Sequence, residues 1–281
     1  MMAKKLKSKY RLLVLIDQTK SSYTALRNAV NLAKVIDAGI ELFYVKPPAK
    51  VVKYDNQIAV MRTLEEERIA LKKVMQKLVN TISDSEGIPV IYSFTFGNVI
   101  AEIQNHITKT QPDIVVIGKR KTKMINFLGD GLTSYLLKNH KGGILISGDE
   151  ENLKSYTNVS LGFLDDMAMS NEVEITQDLK KRSNKPITLF KIKKTNVAPK
   201  KKVAFLKPTE QERIANTTVF EFEEGAGNSD SLSKYIEKKK VELLCVKRTK
   251  KLKPNKPLSL INTKIKQIIT KINVPVLILA N

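Results

Sequence analysis

Short apolar runs alternate with longer amphipathic stretches through the first half of the chain. The apolar runs predict strands over residues 12–16, 40–45, 90–96, 114–117 and 144–147. Between them, apolar residues recur every three or four positions, which predicts helices over residues 21–36, 58–83, 99–108 and 132–139. Because strands separated by helices are joined by parallel crossovers, this alternation predicts an open, mostly parallel, doubly wound α/β sheet of five strands.

The first β-α-β unit places two residues where such sheets hold ligands. Its first strand stops at Asp17 and its second strand ends at Val45. Ser21 or Ser22 is expected to cap the helix between them, because a serine hydroxyl accepts hydrogen bonds from a first helical turn. Ligands of doubly wound sheets collect at the carboxyl ends of strands, so Asp17 and Val45 are candidate site residues.

The second half repeats this order of elements in a shorter form. Its strands are predicted over residues 159–164, 187–192, 217–222, 241–246 and 274–279. Its helices are predicted over a stretch that ends near residue 182, over 229–239 and over 260–272. Residues 149–157 are acidic and polar, which is typical of a linker. The sequence therefore predicts two tandem doubly wound domains, at residues 1–148 and 158–281, each with a mostly parallel five-stranded sheet flanked by helices.

Residues 113–135 combine a strand, a basic loop and glycines before a helix. Gly118 ends the strand, and Gly129 and Gly131 precede a helix that begins near Leu132. Backbone N–H groups beside the positive end of a helix favour an anion such as a phosphate. Glycines at these positions are also common turn and cap residues, so the pattern leaves open both a ligand site and a structural role.

Composition restricts the class of protein. The 281 residues are 42% hydrophobic, which suffices for packed cores, and no apolar stretch approaches the roughly 20 residues of a membrane-spanning helix. The one cysteine, Cys245, lies in an apolar run, so a buried inert thiol is expected and a disulfide framework is excluded. These features predict a cytoplasmic globular protein with no membrane span.

The chain is strongly basic, with a formal net charge of +21 from 49 Lys and Arg against 28 Asp and Glu. Such a surplus favours contact with nucleic acid, acidic lipid or anionic metabolites. The lysines are spread along the whole chain, however, and no stripe of aromatic residues accompanies them. A solvated lysine-rich surface is the preferred interpretation, and weak, sequence-independent binding of nucleic acid is an alternative.

The sequence offers little for catalysis. The two histidines, His106 and His140, are far apart and have no neighbouring cysteine or carboxylate pattern. No complete G-x-x-x-x-G-K-[ST] loop is present. The protein is therefore predicted not to be an enzyme, with no catalytic residues and no metal ligands, and each histidine is assigned to a helix surface or a helix end.

The sequence resembles the universal stress protein family, in the tandem form. The resemblance rests on the strand ending at Asp17, the strand over 40–45, Phe96-Gly97-Asn98 before a helix, residues 113–118 (DIVVIG), and the closing helix and strand of each half. It covers residues 10–147 clearly and 157–281 more faintly. It implies the α/β fold described above and a cytoplasmic stress-response role without catalysis.

The resemblance also implies a nucleotide. Family members that bind ATP carry three spaced glycines, the last followed by a hydroxyl residue, and an aspartate after the first strand that contacts the nucleoside. Gly118 and Gly131 fill the first and third places, whereas Lys121 replaces the second glycine and Leu132 stands where a hydroxyl is expected. The implied site for ATP with magnesium is Asp17, Val45, Gly118, Gly129, Gly131, Thr133 and Ser134.

The second copy is degenerate, because no glycine occurs from Lys247 to Asn281 and a family-type nucleotide site is not expected there. Family members pair through the last strand of the sheet. The resemblance implies that this pairing is made within the chain, between residues 144–147 and 276–279, with a further homodimer as an open alternative. A ligand-free scaffold for protein–protein interaction is the alternative function.

Overall fold

The computed structural model describes residues 8–47, 57–119, 131–148, 158–164, 174–193, 217–223, 228–248 and 270–280. The chain divides into two compact units, Met1–Gly142 and Gly143–Asn281. The predicted linker over 149–157 and the predicted phosphate contact at Gly129 lie outside the described residues. Most of the helix predicted over 260–272 also lies outside them.

In the described part of the first unit, four parallel strands alternate with helices. The strands are β1 (Tyr10–Ile16), β2 (Ala38–Lys46), β3 (Val90–Phe96) and β4 (Ile114–Ile117). The helices are α1 (Lys20–Ile36), α2 (Gln57–Glu86), α3 (Val99–Thr110) and α4 (Leu132–Asn139). The sheet order is β3-β2-β1-β4. The predicted α/β fold with a mostly parallel sheet is confirmed.

Two neighbouring strands of this unit, β1 and β4, contribute its most deeply buried residues. Leu12, Leu13 and Val14 on β1 are fully buried, as are the residues opposite them on β4, Ile114, Val115 and Val116. Burial of successive residues means that both faces of these strands are covered, as expected for parallel strands between helix layers. Each such side chain contributes about 1.5–3 kcal/mol to folding.

Thr19, rather than Ser21 or Ser22, caps α1. The Thr19 hydroxyl accepts a hydrogen bond from the backbone N–H of Ser22, at 3.4 Å. The cap predicted from sequence was therefore wrong by two or three positions. The reason lies in Asp17, whose Oδ1 accepts hydrogen bonds from both the backbone N–H and the hydroxyl of Thr19, at 3.1 and 2.5 Å, and so fixes Thr19 at the helix start.

The second unit contains six of the described strands and two of the described helices. They are β5 (Gly143–Ile146), β6 (Leu161–Leu164), α5 (Glu174–Arg182), β7 (Ile187–Lys193), β8 (Thr217–Glu223), α6 (Asn228–Lys238), β9 (Leu243–Arg248) and β10 (Val276–Ala280). The sheet order is β5-β10-β9-β6-β7-β8, parallel except for β5. The predicted pairing of β5 with β10 is present and antiparallel, with Leu145 opposite Leu277.

Buried groups in the second unit include the one thiol. Cys245 on β9 is fully buried, and burial raises the pKa of its thiol to about 12. The thiolate, which is the reactive form of cysteine, is therefore not populated near neutral pH.

In the described parts of the chain, no helix combines the length and the apolar character that crossing a bilayer requires.

A carboxylate holds the start of one strand pair in each unit. Asp113 Oδ2 accepts a hydrogen bond from the backbone N–H of Arg11, at 2.8 Å. Glu242 Oε2 accepts the corresponding bond from Ser160, also at 2.8 Å. Asp113 immediately precedes β4 and Glu242 immediately precedes β9, so the two pairs β1/β4 and β6/β9 are anchored in the same way.

A polar cluster fastens α3 to the sheet of the first unit. Glu41 Oε1 on β2 accepts hydrogen bonds from Ser93 on β3, at 2.7 Å, and from His106 Nε2 on α3, at 2.8 Å. The His106 ring stacks on Phe43, with centroids 4.0 Å apart. His106 is therefore a contact residue between helix and sheet.

His140 ends α4, as predicted, and donates its backbone N–H to the carbonyl of Leu136 at 2.9 Å.

This cluster predicts a pH dependence of stability. Burial alone would raise the pKa of Glu41, but the hydrogen bonds from His106 and Ser93 and the charges of His106 and Arg11 lower it below its ordinary value of 4.5. A lowered folded-state pKa adds stability that is complete above the unfolded-state pKa and is lost as pH falls through the folded-state value. Glu41→Gln should therefore reduce the free energy of unfolding by about 1–3 kcal/mol at neutral pH.

Chemical denaturation at a series of pH values measures this difference. It should be constant above pH 4.5 and shrink at lower pH. Glu66→Gln is the control, because Glu66 is an exposed helix residue that pairs with Arg62, four positions away on the same helix. If wild type and Glu41→Gln have the same free energy of unfolding at neutral pH, or if their difference stays constant below pH 4.5, this account is contradicted.

Candidate functional site

Three predicted site residues gather at one edge of the first sheet. In the parallel registers, Ile16 pairs with Tyr44 and Val14 pairs with Val116. Counting on along each strand, Asp17, Val45 and Gly118 all lie at or just beyond the carboxyl ends of β1, β2 and β4. The strand order reverses at β1, which has β2 on one side and β4 on the other, and the edge beside such a reversal is where doubly wound sheets hold ligands.

Asp17 has a local structural role at this edge. Its Oδ1 bonds to Thr19, and the Thr19 hydroxyl lies 3.1 Å from that of Ser21. Gln18 between them takes a left-handed backbone conformation, with φ of 64°. The aspartate thereby shapes the turn that leads from β1 into α1, whether or not it also contacts a ligand.

Gly118 is required by the approach of α1 to the end of β4. A Cβ at this position would lie 2.5 Å from the carbonyl oxygen of Ser21, 2.6 Å from its carbon and 3.0 Å from the nitrogen of Ser22. All three are backbone atoms in the first turn of α1, so no side chain can move aside to make room. The glycine therefore brings the positive end of α1 against the strand end.

This contact predicts the effect of adding one methyl group. Gly118→Ala should lower the free energy of unfolding by about 1–3 kcal/mol, because the backbone must shift to remove the overlap. Thermal or chemical denaturation without any ligand measures the loss. Gly118→Ala with wild-type stability would show that α1 does not approach β4 this closely.

Gly131 begins α4 in a conformation that favours glycine. Its φ is 71° and its ψ is −18°, and it makes no side-chain cap hydrogen bond. Thr133 and Ser134 occupy the first turn of α4 and are partly buried. The predicted start of this helix at Leu132 is confirmed. The cap residue therefore supplies no side-chain acceptor for the N–H groups of the first turn, which is the arrangement that suits an anion.

Sequence reasoning missed two polar side chains near the end of β2, those of Tyr44 and Lys46. Burial raises the pKa of the Tyr44 hydroxyl, the Lys46 charge opposes this effect, and the charges of Asp17 and Glu67 reinforce it. Lys46 also forms an ion pair with Glu67 on α2. The alternation along β2 places Tyr44 and Lys46 on one face of the strand. Glu67, which pairs with Lys46, lies 21 residues further along the chain, and no sequence pattern near Lys46 indicates it.

Lys119, directly after Gly118, is the buried basic residue of this edge. Only 8% of its surface is exposed. The other basic residues of the loop, Arg120, Lys121 and Lys123, lie outside the described residues, as does Gly129. The structure thus brings together Asp17, Val45 and Gly118 at the strand ends, and it places Gly131, Thr133 and Ser134 at the start of α4.

The corresponding edge of the second unit is different. Arg248 ends β9 with 6% of its surface exposed, and burial lowers the pKa of its guanidinium. The strand anchors also define a sequence correspondence: Asp17 follows Arg11 by six positions, as Asp166 follows Ser160. Asp166 therefore corresponds to Asp17 in sequence position, and it lies outside the described residues.

The fold and its strand-end edge define a doubly wound α/β protein of the class that holds ligands at the carboxyl ends of its strands. Residues 10–146 match the model of the universal stress protein family. The match covers just under half of the 281 residues and agrees with the resemblance carried by the motifs of the first half.

Two solved structures with TM-scores above 0.5 agree with this fold. A universal stress protein from Archaeoglobus fulgidus DSM 4304 has a TM-score of 0.63 at 13% identity, covering 97% of this chain and 96% of that chain. A putative universal stress protein from Pseudomonas aeruginosa UCBPP-PA14 has a TM-score of 0.57 at 13% identity, covering 96% and 93%. A universal stress protein in complex with cAMP has a TM-score of 0.37 at 13% identity, covering 50% and 96%. None of the curated proteins compared with the chain matches it.

Proposed function

We propose that this chain is a non-enzymatic, cytoplasmic stress-response protein that binds ATP, with magnesium, as a regulatory ligand at the carboxyl edge of its first sheet. The observation that carries the proposal is the start of α4, where the cap residue is Gly131 and supplies no side-chain acceptor. A helix start of this kind beside a parallel strand end suits a phosphate group.

Each candidate residue has a defined role in this proposal. Asp17 recognises the nucleoside and Val45 contacts the base. Gly118, Gly129 and Gly131 allow the backbone to approach the phosphates, and Thr133 or Ser134 donates a hydroxyl hydrogen bond to them. Lys119 adds positive charge at the strand end, which favours a polyphosphate over a neutral ligand. The bound nucleotide acts as a regulatory ligand, and no hydrolysis step is assigned.

The tandem form of the family is the second part of the proposal, with domains at residues 1–148 and 158–281 and a degenerate second copy. The strand order β3-β2-β1-β4 of the first unit recurs as β8-β7-β6-β9 in the second. The carboxylate anchors of Asp113 and Glu242 recur with it. Two unrelated folding units would have no reason to share both features, so they support an internal duplication.

A ligand-free interaction scaffold, alone or as a homodimer, is the alternative. It is favoured by the structural explanations of Asp17 and Gly118, which need no nucleotide. The first half of α2 also exposes three large apolar side chains, Ile58, Met61 and Ile69, and its first fully buried residue is Leu71. Exposed apolar groups of this kind are common where proteins meet.

Calorimetric titration with ATP and magnesium, on wild type, Gly131→Ala and Gly87→Ala, separates the two functions. Both glycines have positive φ, 71° and 66°, so alanine costs a similar backbone strain of about 1–2 kcal/mol at each. Only Gly131 lies at the candidate site. Wild type and Gly87→Ala should bind saturably and alike, and Gly131→Ala should bind about tenfold or more weakly, since its Cβ hinders the backbone approach to phosphate.

Repeating the titration at a higher salt concentration distinguishes a formed site from general attraction to a basic surface. No saturable binding by folded wild type, or equal weakening in both variants, would overturn nucleotide binding and leave the scaffold as the better account.

A further inference from the structure

Two helices of the second unit end in basic residues at the same edge of their sheet. Residues 180–182 end α5, Lys185 follows them, and residues 238–240 end α6 and the turn after it. A crossover helix runs antiparallel to the strands it joins, so both helix ends lie where the parallel strands β7 and β9 begin. The Phe163 ring beside α5 is in register with Leu189, whereas the Phe220 ring beside α6 is in register with Phe190. Because successive residues of a strand face opposite sides, α5 and α6 cover opposite faces of the sheet and their basic ends border this edge from both sides. These seven residues are here named the basic rim.

Acidic residues neutralise only part of the basic rim. Lys181 lies 3.8 Å from Asp178, and Lys185 lies 3.3 Å from Glu242. Within the described parts of the chain, no carboxylate lies within ion-pair distance of Arg182 or of any lysine at 238–240. Arg182 and these three lysines are all exposed, so the rim presents uncompensated positive charge to solvent.

The fold itself does not need this charge. The corresponding helices of the first unit, α1 and α3, each have one basic residue in the last turn, Lys34 and Lys109. Lys34 is paired with Glu86 at 2.5 Å, and Asp37 follows it as the cap of α1. One cation at a helix end is enough to interact favourably with the helix dipole. The additional charges therefore belong to the second unit alone.

Aromatic rings hold part of the rim in place. The ammonium group of Lys239 lies 4.7 Å from the centre of the Phe220 ring, and that of Lys238 lies 5.9 Å from the Tyr235 ring. Lys180 lies 5.8 Å from the Phe163 ring. These cation–π contacts restrict long side chains before any partner arrives, which reduces the entropy lost on binding.

The surroundings of the rim favour a polyanion in water over a membrane. The large apolar side chains that are exposed in the described residues, such as Ile58 and Met61, all lie in the first unit. A peripheral membrane surface ordinarily adds apolar groups that enter the lipid. In α5 and α6, as far as their side chains are described, no row of exposed aromatic residues offers a surface on which bases could stack. Charge without apolar or base-reading groups fits a phosphodiester backbone.

We propose that the basic rim of the second unit binds the phosphate backbone of nucleic acid, independently of base sequence. This function is separate from nucleotide binding by the first unit and does not require it. The copy that lacks the glycine loop has instead gained a polyanion-binding surface at the opposite edge of its sheet.

Fluorescence anisotropy of the full chain with a labelled thymidine oligonucleotide of about 20 nucleotides tests this directly. The rim variant is Lys181→Gln, Arg182→Gln, Lys238→Gln and Lys240→Gln together, which leaves Lys180 and Lys239 on their rings. The matched control removes four exposed charges from α2, through Arg68→Gln, Lys72→Gln, Lys73→Gln and Lys77→Gln. Both variants lower the formal net charge by four, so they differ only in where the charge is lost.

The rim variant should bind about tenfold or more weakly than wild type. The slope of its log binding constant against log salt concentration should be smaller in magnitude by about 2–3, since each lost phosphate contact removes about 0.7 from that slope. The control should bind nearly as wild type does. Replacing Lys181, Lys238 and Lys240 by arginine instead of glutamine should preserve binding. Equal weakening in rim variant and control would assign the binding to diffuse charge and overturn the proposal. So would absence of binding by folded wild type at low salt, or binding to anionic vesicles without binding to the oligonucleotide.

Discussion

The close contact between the backbone of Ser21 and Gly118 is the constraint on which the rest of the first unit depends. It fixes the first turn of α1 against the end of β4, and Asp17 and Thr19 hold that turn in place. Because β1 and β4 are buried on both faces, they cannot shift to relieve the contact. The edge where a ligand would bind is therefore built from rigid elements, which is the arrangement that a precise site requires.

Patterns along the sequence predict those elements that local chemistry determines. The bounds of β3 are predicted to the residue because Pro89 and Gly97 flank an alternating run, and those of α4 because Gly131 precedes it. The cap of α1 was assigned to serine because the pattern does not reveal that Asp17 fixes Thr19. Side-chain contacts between distant helices and strands were missed: Glu41 and His106 are 65 positions apart, and neither has a neighbour that indicates the other.

The candidate site was only partly accessible to sequence reasoning for the same reason. Strand ends follow from apolar runs, so the pattern of the sequence is enough to place Asp17, Val45 and Gly118 at one edge. The role of Gly118 could not be predicted in this way, because its reason lies in backbone atoms of a helix almost 100 residues earlier in the chain. Lys46 and Glu67 join the edge through an ion pair between a strand and a helix.

The two units share a strand order and a carboxylate anchor, yet their edges carry different chemistry, with a glycine-capped helix start in the first and a basic rim in the second. The central claim is that nucleotide binds at the first of these. Residue-resolved hydrogen exchange of the full chain, with and without ATP and magnesium, tests it most directly. The account predicts slower exchange of the amides of Thr133, Ser134 and Lys119 and little change at residues 238–240. Slower exchange confined to the basic rim, or no change at α4, would contradict it.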